Sequence, residues 1–481
     1  MPETSLDIYM IAMGGTGMAP LACLLQDLGH RVRGVDGPLY PPMSTLLEEA
    51  GLEPAVGYDP AHLEAGPRPD LVVVGNAVPR HNPEAQAAER LGLERMSMPE
   101  ALAHFLLSGR RPLVCAGTHG KTTTSSMAAW VPSDCGRNPG FLIGGVPRDL
   151  GVGFRVGGGD RFVIEGDEYN AAYFDRGPKF LHYRPHTLIL TSVEHDHVDL
   201  YPDHEALKSA FRDLLRLVPE EGLAVACGDS PELRELVSEA ARCPVLFYGL
   251  DPSNDLYARR DAGGEVRVFE GSLFQEAGDA GGRGEALALP VPGDHNLQNA
   301  LAVWAAARAD GLGAAEVAAA LGRFRGAKRR LEELGEPNGV LVVDDFAHHP
   351  TAVAASLGGL RQRYPERRLI ALFEPRSLTA GREFFFEPYL EAFQRADAVL
   401  FAPIHYRERL SAEETLDLPA LTASLEDAGT SARALGSIGE LYDLALAEAR
   451  PGDVWVTMSS GSFEGLPGRL AAGLLTPRAG R

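Results

Sequence analysis

Short apolar runs recur along this chain, and most end abruptly in glycine, serine or an acid. Runs of that length bounded by polar turns read as buried strands. They are expected at 7–13, 31–35, 71–74, 113–115, 162–164, 187–191, 340–343, 369–373, 398–402 and 454–458. The stretches between them carry helical spacing: 84–91, the amphipathic 205–217, and a long alanine-rich segment opened by Gly293-Asp294-His295-Asn296. Strands alternating with helices build parallel sheets whose polar rim lies at the carboxyl ends of the strands. Pro132 is expected to stop the helix before it at Val131, and Pro350 suits a helix's first turn. The glycine- and charge-rich stretch 261–285 reads as a mobile hairpin or loop.

Chemistry concentrates at the strand ends. After 113–115 comes Gly117-Thr118-His119-Gly120-Lys121-Thr122-Thr123, then a helix. Backbone N–H groups in such a turn surround a phosphate, helped by the positive helix end. Lys121 would reach the outer phosphates and the Thr122 hydroxyl would hold Mg²⁺. Cys115 occupies the place of the first glycine of the strict pattern, so strand before and helix after carry the reading. The strand 7–13 runs into Gly14-Gly15-Thr16-Gly17-Met18, with Asp36 closing the next strand. This is a dinucleotide-type opening with Pro20 in place of the third glycine. It suits NAD, FAD or another nucleotide diphosphate, or a plain βα turn.

Two further strands end in Glu165-Gly166-Asp167-Glu168 and in Glu194-His195-Asp196-His197-Val198-Asp199. A carboxylate beside a phosphate loop suits Mg²⁺, which takes oxygen ligands. The histidine string also resembles the start of a zinc-hydrolase motif, although Leu200 replaces the next histidine, and it reads equally as a solvated loop. Asn296 and Asn299 share one face of a helix's first turn, where they would read a nucleotide or cap the helix.

The chain has 481 residues, 45% hydrophobic and 23% charged, enough for several α/β domains. A formal charge of −21 disfavours nucleic acid or an anionic membrane as partner, so any phosphate site must be a local positive pocket. Five cysteines without a CxxC pair suit a reducing compartment. No basic and apolar leader is evident, and the expectation is a cytoplasmic protein. The basic turn 108–112 and Gly326-Ala327-Lys328 suggest domains at 1–108, 109–327 and 328–481.

GTHGKTTT (117–124), EGDEYN (165–170), EHDHVD (194–199), GDHNLQNA (293–300), KRRLE (328–332) and DDFAHHPT (344–351) together resemble the Mur ligase superfamily, in its order and over nearly the whole chain. That resemblance implies an α/β protein of three domains: Rossmann-like at the N-terminus, P-loop ATPase-like in the centre, Rossmann-like at the C-terminus. It implies an ATP- and Mg²⁺-dependent amide ligase of peptidoglycan assembly that works through an acyl phosphate. YPPMST (40–45), GNA (75–77), GFLIGGVP (140–147), 168–185 and FEPRS (373–377) resemble the branch that joins UDP-N-acetylmuramate to L-Ala-γ-D-Glu-meso-diaminopimelate. The alternative is the branch that adds L-alanine.

The resemblance also implies roles. Gly14, Gly15, Thr16, Gly17, Met18 and Asp36 would hold UDP. Gly117, Thr118, His119, Gly120, Lys121, Thr122 and Thr123 would hold ATP, with Asn296 and Asn299. Thr122 and Glu165 would be ligands of one Mg²⁺, and His197 of a second. Arg330 and Asp345 would join on domain closure, with His348 on the same rim and Arg376 and Ser377 toward the peptide. A monomer or weak homodimer is expected. Ser192 stands where relatives carry Asn, Gly166 replaces Ala, and Ser460 and Ser462 alter the C-terminal loop. Arg212 stands where some relatives have a carbamylated lysine, so none is expected.

Overall fold

The computed structural model describes residues 5–194, 200–201, 203–261, 263–271, 284–411 and 413–474. The chain divides into two compact units, Met1–Ala288 with Asn299–Gly322, and Leu289–Gln298 with Arg323–Arg481. The first contains two sheets and the second one.

The first sheet has five parallel strands, in the order Ala55–Val56, Arg31–Asp36, Asp7–Ile11, Leu71–Val74, Arg95–Ser97. Asp7–Ile11 and Leu71–Val74 are almost wholly buried, which explains why they read as continuous apolar runs. Chain order reverses beside Asp7–Ile11, and that crevice is where open α/β sheets bind ligands. The glycine turn starts there.

The central sheet has ten described strands. Arg111–Ala116 lies between Thr187–Leu190 and Arg161–Gly166, pairing in parallel with both. The phosphate loop therefore emerges flanked by two strand ends that carry the acids. Beyond Val245–Gly249 the sheet continues through Leu256–Arg260 into antiparallel Val266–Glu270 and Glu285–Leu287. Of the two alternatives for 261–285, hairpin or loop, the hairpin holds for Val266–Glu270, which folds back antiparallel on Leu256–Arg260 with Val266 and Val268 buried.

Pro132 does not stop its helix. The helix runs Lys121–Asp134 with Pro132 inside it. Only the last turn follows the proline, so one missing N–H bond costs little there, and Ser133 Oγ donates to Ala129 O at 2.7 Å. Pro350 does open the helix Pro350–Arg363, capped by His349.

In the second unit six strands are ordered Glu332–Gly335, Leu341–Asp345, Val454–Met458, Leu369–Phe373, Ala398–Phe401, Ser431–Ala434, all parallel except the first. Aromatic packing of Phe373, Tyr389, Phe393 and Phe401 fills one side of this sheet. All five cysteines are free thiols. Among the described residues no helix is long and apolar enough to cross a membrane.

Candidate active site

The phosphate loop is shaped by two glycines that no other residue could replace. Gly117 has φ +134°, and a Cβ there would lie 2.2 Å from Thr191 Oγ1. Gly120 has φ +82°, and its Cβ would meet Asn299 Oδ1 at 2.7 Å. Asn299 is therefore packed against the loop. The neighbouring strand end clamps the turn: Thr118 N donates to Ser192 O at 2.9 Å and His119 N donates to Ser192 Oγ at 3.0 Å. Thr118 Oγ1 accepts from Glu194 N at 2.8 Å. His119 Nε2 lies 3.3 Å from Glu194 Oε2. Ser192 thus supplies the turn with both a carbonyl and a hydroxyl contact.

Lys121 and Thr122 open the helix, and each meets a different carboxylate. Thr122 Oγ1 donates to Glu165 Oε1 at 2.7 Å, while Gly144 N donates to Glu165 Oε2 at 2.8 Å. Lys121 Nζ donates to Gly117 O at 2.8 Å and to Glu168 Oε2 and Oε1 at 2.8 and 3.1 Å. Burial opposes the lysine's charge, but Glu168, Asp167 and Glu165 outweigh it and hold the ammonium above its ordinary range. Thr123 is buried in the same first helical turn. The oxygen donors Thr122 and Glu165 fit a hard cation such as Mg²⁺. His197, the expected ligand of the second ion, lies outside the described residues.

The N-terminal turn is built differently. Gly14 N donates to Asp36 Oδ2 at 2.7 Å, and Gly37 N and the Tyr58 hydroxyl donate to Asp36 Oδ1 at 2.7 and 3.1 Å. Asp36, expected to meet a ribose, thus already locks the turn. A Cβ on Gly14 would lie 2.0 Å from Leu39 Cδ2, and one on Gly17 would lie 3.0 Å from Met98 Cε. Gly15 O accepts from Ala19 N, Thr16 is exposed, and Met18 is buried, so Met18 offers a ligand its backbone.

In the second unit Asp345, 4% exposed, ends its strand and accepts from Leu331 N at 2.6 Å and Ala347 N at 2.7 Å. Burial raises its pKa, against the pull of Arg330 and the two N–H groups. Arg330 stacks over Phe346, 4.8 Å from the ring centre. His348 Nδ1 sits 3.1 Å from Phe346 O, and Tyr389 donates to His348 O. At the adjoining strand end Arg376 Nη1 is 3.4 Å from Glu374, whose other oxygen accepts from Ser459 Oγ. Ser377 Oγ accepts from Ala380 N at 2.9 Å. Asn296 Nδ2 donates to Pro292 O at 2.7 Å.

Three stretches of the chain match family models in succession: "Mur ligase family, catalytic domain" at residues 7–110, "Mur ligase middle domain" at 115–307, and "Mur ligase, glutamate ligase domain" at 329–461. A curated relative from Escherichia coli, UDP-N-acetylmuramate–L-alanyl-γ-D-glutamyl-meso-2,6-diaminoheptandioate ligase, is 39% identical, covering 97% of this chain and 98% of its own. This chain belongs to the Mur ligase family. As a Mur ligase it is an ATP-dependent enzyme that forms C–N bonds. Its three-domain α/β architecture is that of its relatives. The crystal structure of a murein peptide ligase from Psychrobacter arcticus superposes with a TM-score of 0.71 at 34% identity, covering 99% of this chain and all of that one. A UDP-N-acetylmuramate–L-alanine ligase from Pelotomaculum thermopropionicum is 37% identical, covering 95% of each chain.

Three residues to which the motifs gave no role pack around the loop and its carboxylates. Glu168, Ser192 and Tyr201 act through contacts, not through spacing. The segment after Glu168 also docks on the first sheet: Ser97 Oγ donates to Asp175 at 2.9 Å, and Arg95 Nη1 donates to the Tyr173 hydroxyl at 3.0 Å. Arg212 is paired with Glu205 and Glu239.

Proposed function

We propose that this Mur ligase joins the lactyl carboxylate of UDP-N-acetylmuramate to the amine of L-Ala-γ-D-Glu-meso-diaminopimelate, consuming ATP in the cytoplasm. The observation that carries the reading is the pairing of Lys121 and Thr122, at one helix start, with Glu168 and Glu165 at one strand end. The 39% identity to a ligase of that name, and the likeness to the Psychrobacter arcticus murein peptide ligase, support the tripeptide over L-alanine.

A carboxylate is a poor acyl donor. It attacks the γ-phosphorus of ATP, ADP leaves, and an acyl phosphate forms. The peptide amine then adds to the carbonyl carbon, loses its proton, and phosphate departs with one former carboxylate oxygen. The first step brings two anions together, which Lys121 and the N–H groups of the loop offset. Thr122 and Glu165 would hold one Mg²⁺ and His197 a second, and magnesium when bound neutralises phosphate charge. Gly14–Met18 would cradle the uridine diphosphate. Arg330, Asp345 and His348 complete the nucleotide side in this reading, with Asn296 and Asn299 on the nucleoside, and Arg376 and Ser377 receive the peptide. The boundaries we assign are 1–108, 109–327 and 328–481.

The test is phosphate release from Mg-ATP and UDP-N-acetylmuramate with tripeptide or with L-alanine. Release with tripeptide, plus an amide product of the summed mass, is expected. Release with L-alanine alone would move the chain to the alanine-adding reaction.

A further inference from the structure

Lys121 is the group that must grip a phosphate, yet its ammonium is fully occupied by the protein. It has three donors. One goes to Gly117 O at 2.8 Å, and the rest are taken by the two oxygens of Glu168 at 2.8 and 3.1 Å. Lys121 is 9% exposed and Glu168 2%, so the pair is nearly dry and its attraction strong. Any phosphate that Lys121 holds must displace one of these acceptors.

The main chain on which Glu168 sits is tied down. Its backbone carbonyl accepts from the buried Tyr201 hydroxyl at 2.7 Å. On either side, Asp167 O accepts from Phe180 N at 3.2 Å and Tyr169 O accepts from Lys179 N at 2.9 Å. The main chain that carries Glu168 is therefore pinned at three successive carbonyls, whereas Lys121 reaches the pair on a flexible four-carbon stem. Glu165, three residues earlier on the same strand end, is turned instead to Thr122 and Gly144. The two acids have divided the helix start between them.

We propose that Glu168 is a competing anion built into the nucleotide site: it claims the Lys121 ammonium against phosphate, holds nucleotide affinity down and speeds departure of the spent nucleotide. It is a positioning residue, acting on phosphate only through Lys121. The inference rests on the reading that the 117–122 loop binds nucleotide.

Binding and dissociation of a fluorescent ADP analogue, in Mg²⁺, by the whole enzyme test it. Glu168→Gln keeps shape and hydrogen-bonding but removes the charge; it is expected to bind the analogue about 10-fold more tightly, chiefly through slower dissociation. Glu168→Asp, which withdraws the carboxylate by one methylene, is expected to fall between, and it decides the matter should the glutamine variant fail to fold. KM for ATP should drop with affinity while kcat falls as release slows. Unchanged or weaker binding in the variants, with wild type binding normally, overturns the role of Glu168. A wild type that does not bind the analogue overturns the reading of the loop itself.

Discussion

Two glycine turns in this protein have the same local plan and opposite chemistry. Both follow a buried parallel strand, both open a helix, and both lie where the strand order of their sheet reverses. The N-terminal turn spends its nearby acid on itself: Asp36 accepts from Gly14 N, Gly37 N and Tyr58. The central turn carries a lysine and a threonine at the helix start, facing three carboxylates. Backbone geometry alone makes a cradle for a diphosphate that must be held; mobile charge beside the cradle is what a phosphate in transfer needs.

The largest expected effect breaks that contrast at Lys121. Lys121→Ala should lower kcat by at least about 1,000-fold, roughly 4 kcal/mol of barrier. It also strands Glu168 without its cation, so a lower melting temperature is expected. Combining it with Glu168→Gln should restore the melting temperature and leave turnover lost, separating charge for chemistry from charge for folding. Near-normal turnover in either variant would refute the role of the lysine.

Glu165→Gln comes next. It keeps a partner for Thr122 and Gly144 but removes a negative oxygen donor. An activity loss of about 100-fold is expected, with a higher Mg²⁺ concentration needed for half-maximal rate. A magnesium titration identical to wild type would show that this carboxylate holds no metal.

A titration outside both turns sharpens the comparison, because there burial acts without a partner for charge. His295, partly buried at the start of its helix, has its pKa pushed down to about 4 by desolvation, against a weak opposing pull from Asp294. The folded ring stays neutral where the unfolded one, near 6.5, takes up a proton. Stability is therefore lost as pH falls from about 6.5 toward 4, by about 2 kcal/mol. Urea unfolding at pH 7 and pH 4.5 should show that loss, and His295→Gln should reduce it.

The smallest effect belongs to the N-terminal turn. Asp36→Ala frees Gly14 N and loosens the cradle without touching a reacting atom. KM for the UDP substrate should rise about 10-fold with kcat nearly unchanged. A large loss of kcat would mean that the two turns are not divided as described.

Much of this was legible from residue order. Val72, Val73 and Val74, or Leu188, Ile189 and Leu190, are buried on both faces and so announce their strands as unbroken apolar runs. The phosphate loop was legible because Gly117, Gly120, Lys121 and Thr122 act at fixed spacing along one turn. What stayed hidden depends on distance in space. Glu168 reads as one acid among three until the fold sets it against an ammonium 47 residues away. Ser192 reads as a departure until its hydroxyl meets His119 N. Pro132 misled because a proline's cost depends on how much helix follows it, whereas 261–285 stayed open between hairpin and loop until Val266–Glu270 paired with Leu256–Arg260.

The most direct test of the account is the fate of an oxygen atom. UDP-N-acetylmuramate labelled with ¹⁸O in its lactyl carboxylate is turned over with Mg-ATP and the tripeptide, and the released phosphate is weighed. One ¹⁸O in each phosphate is the predicted result, since that oxygen bonds to phosphorus and leaves with it. Unlabelled phosphate accompanying amide product would contradict activation by phosphoryl transfer, and with it the work assigned to Lys121 and Glu165.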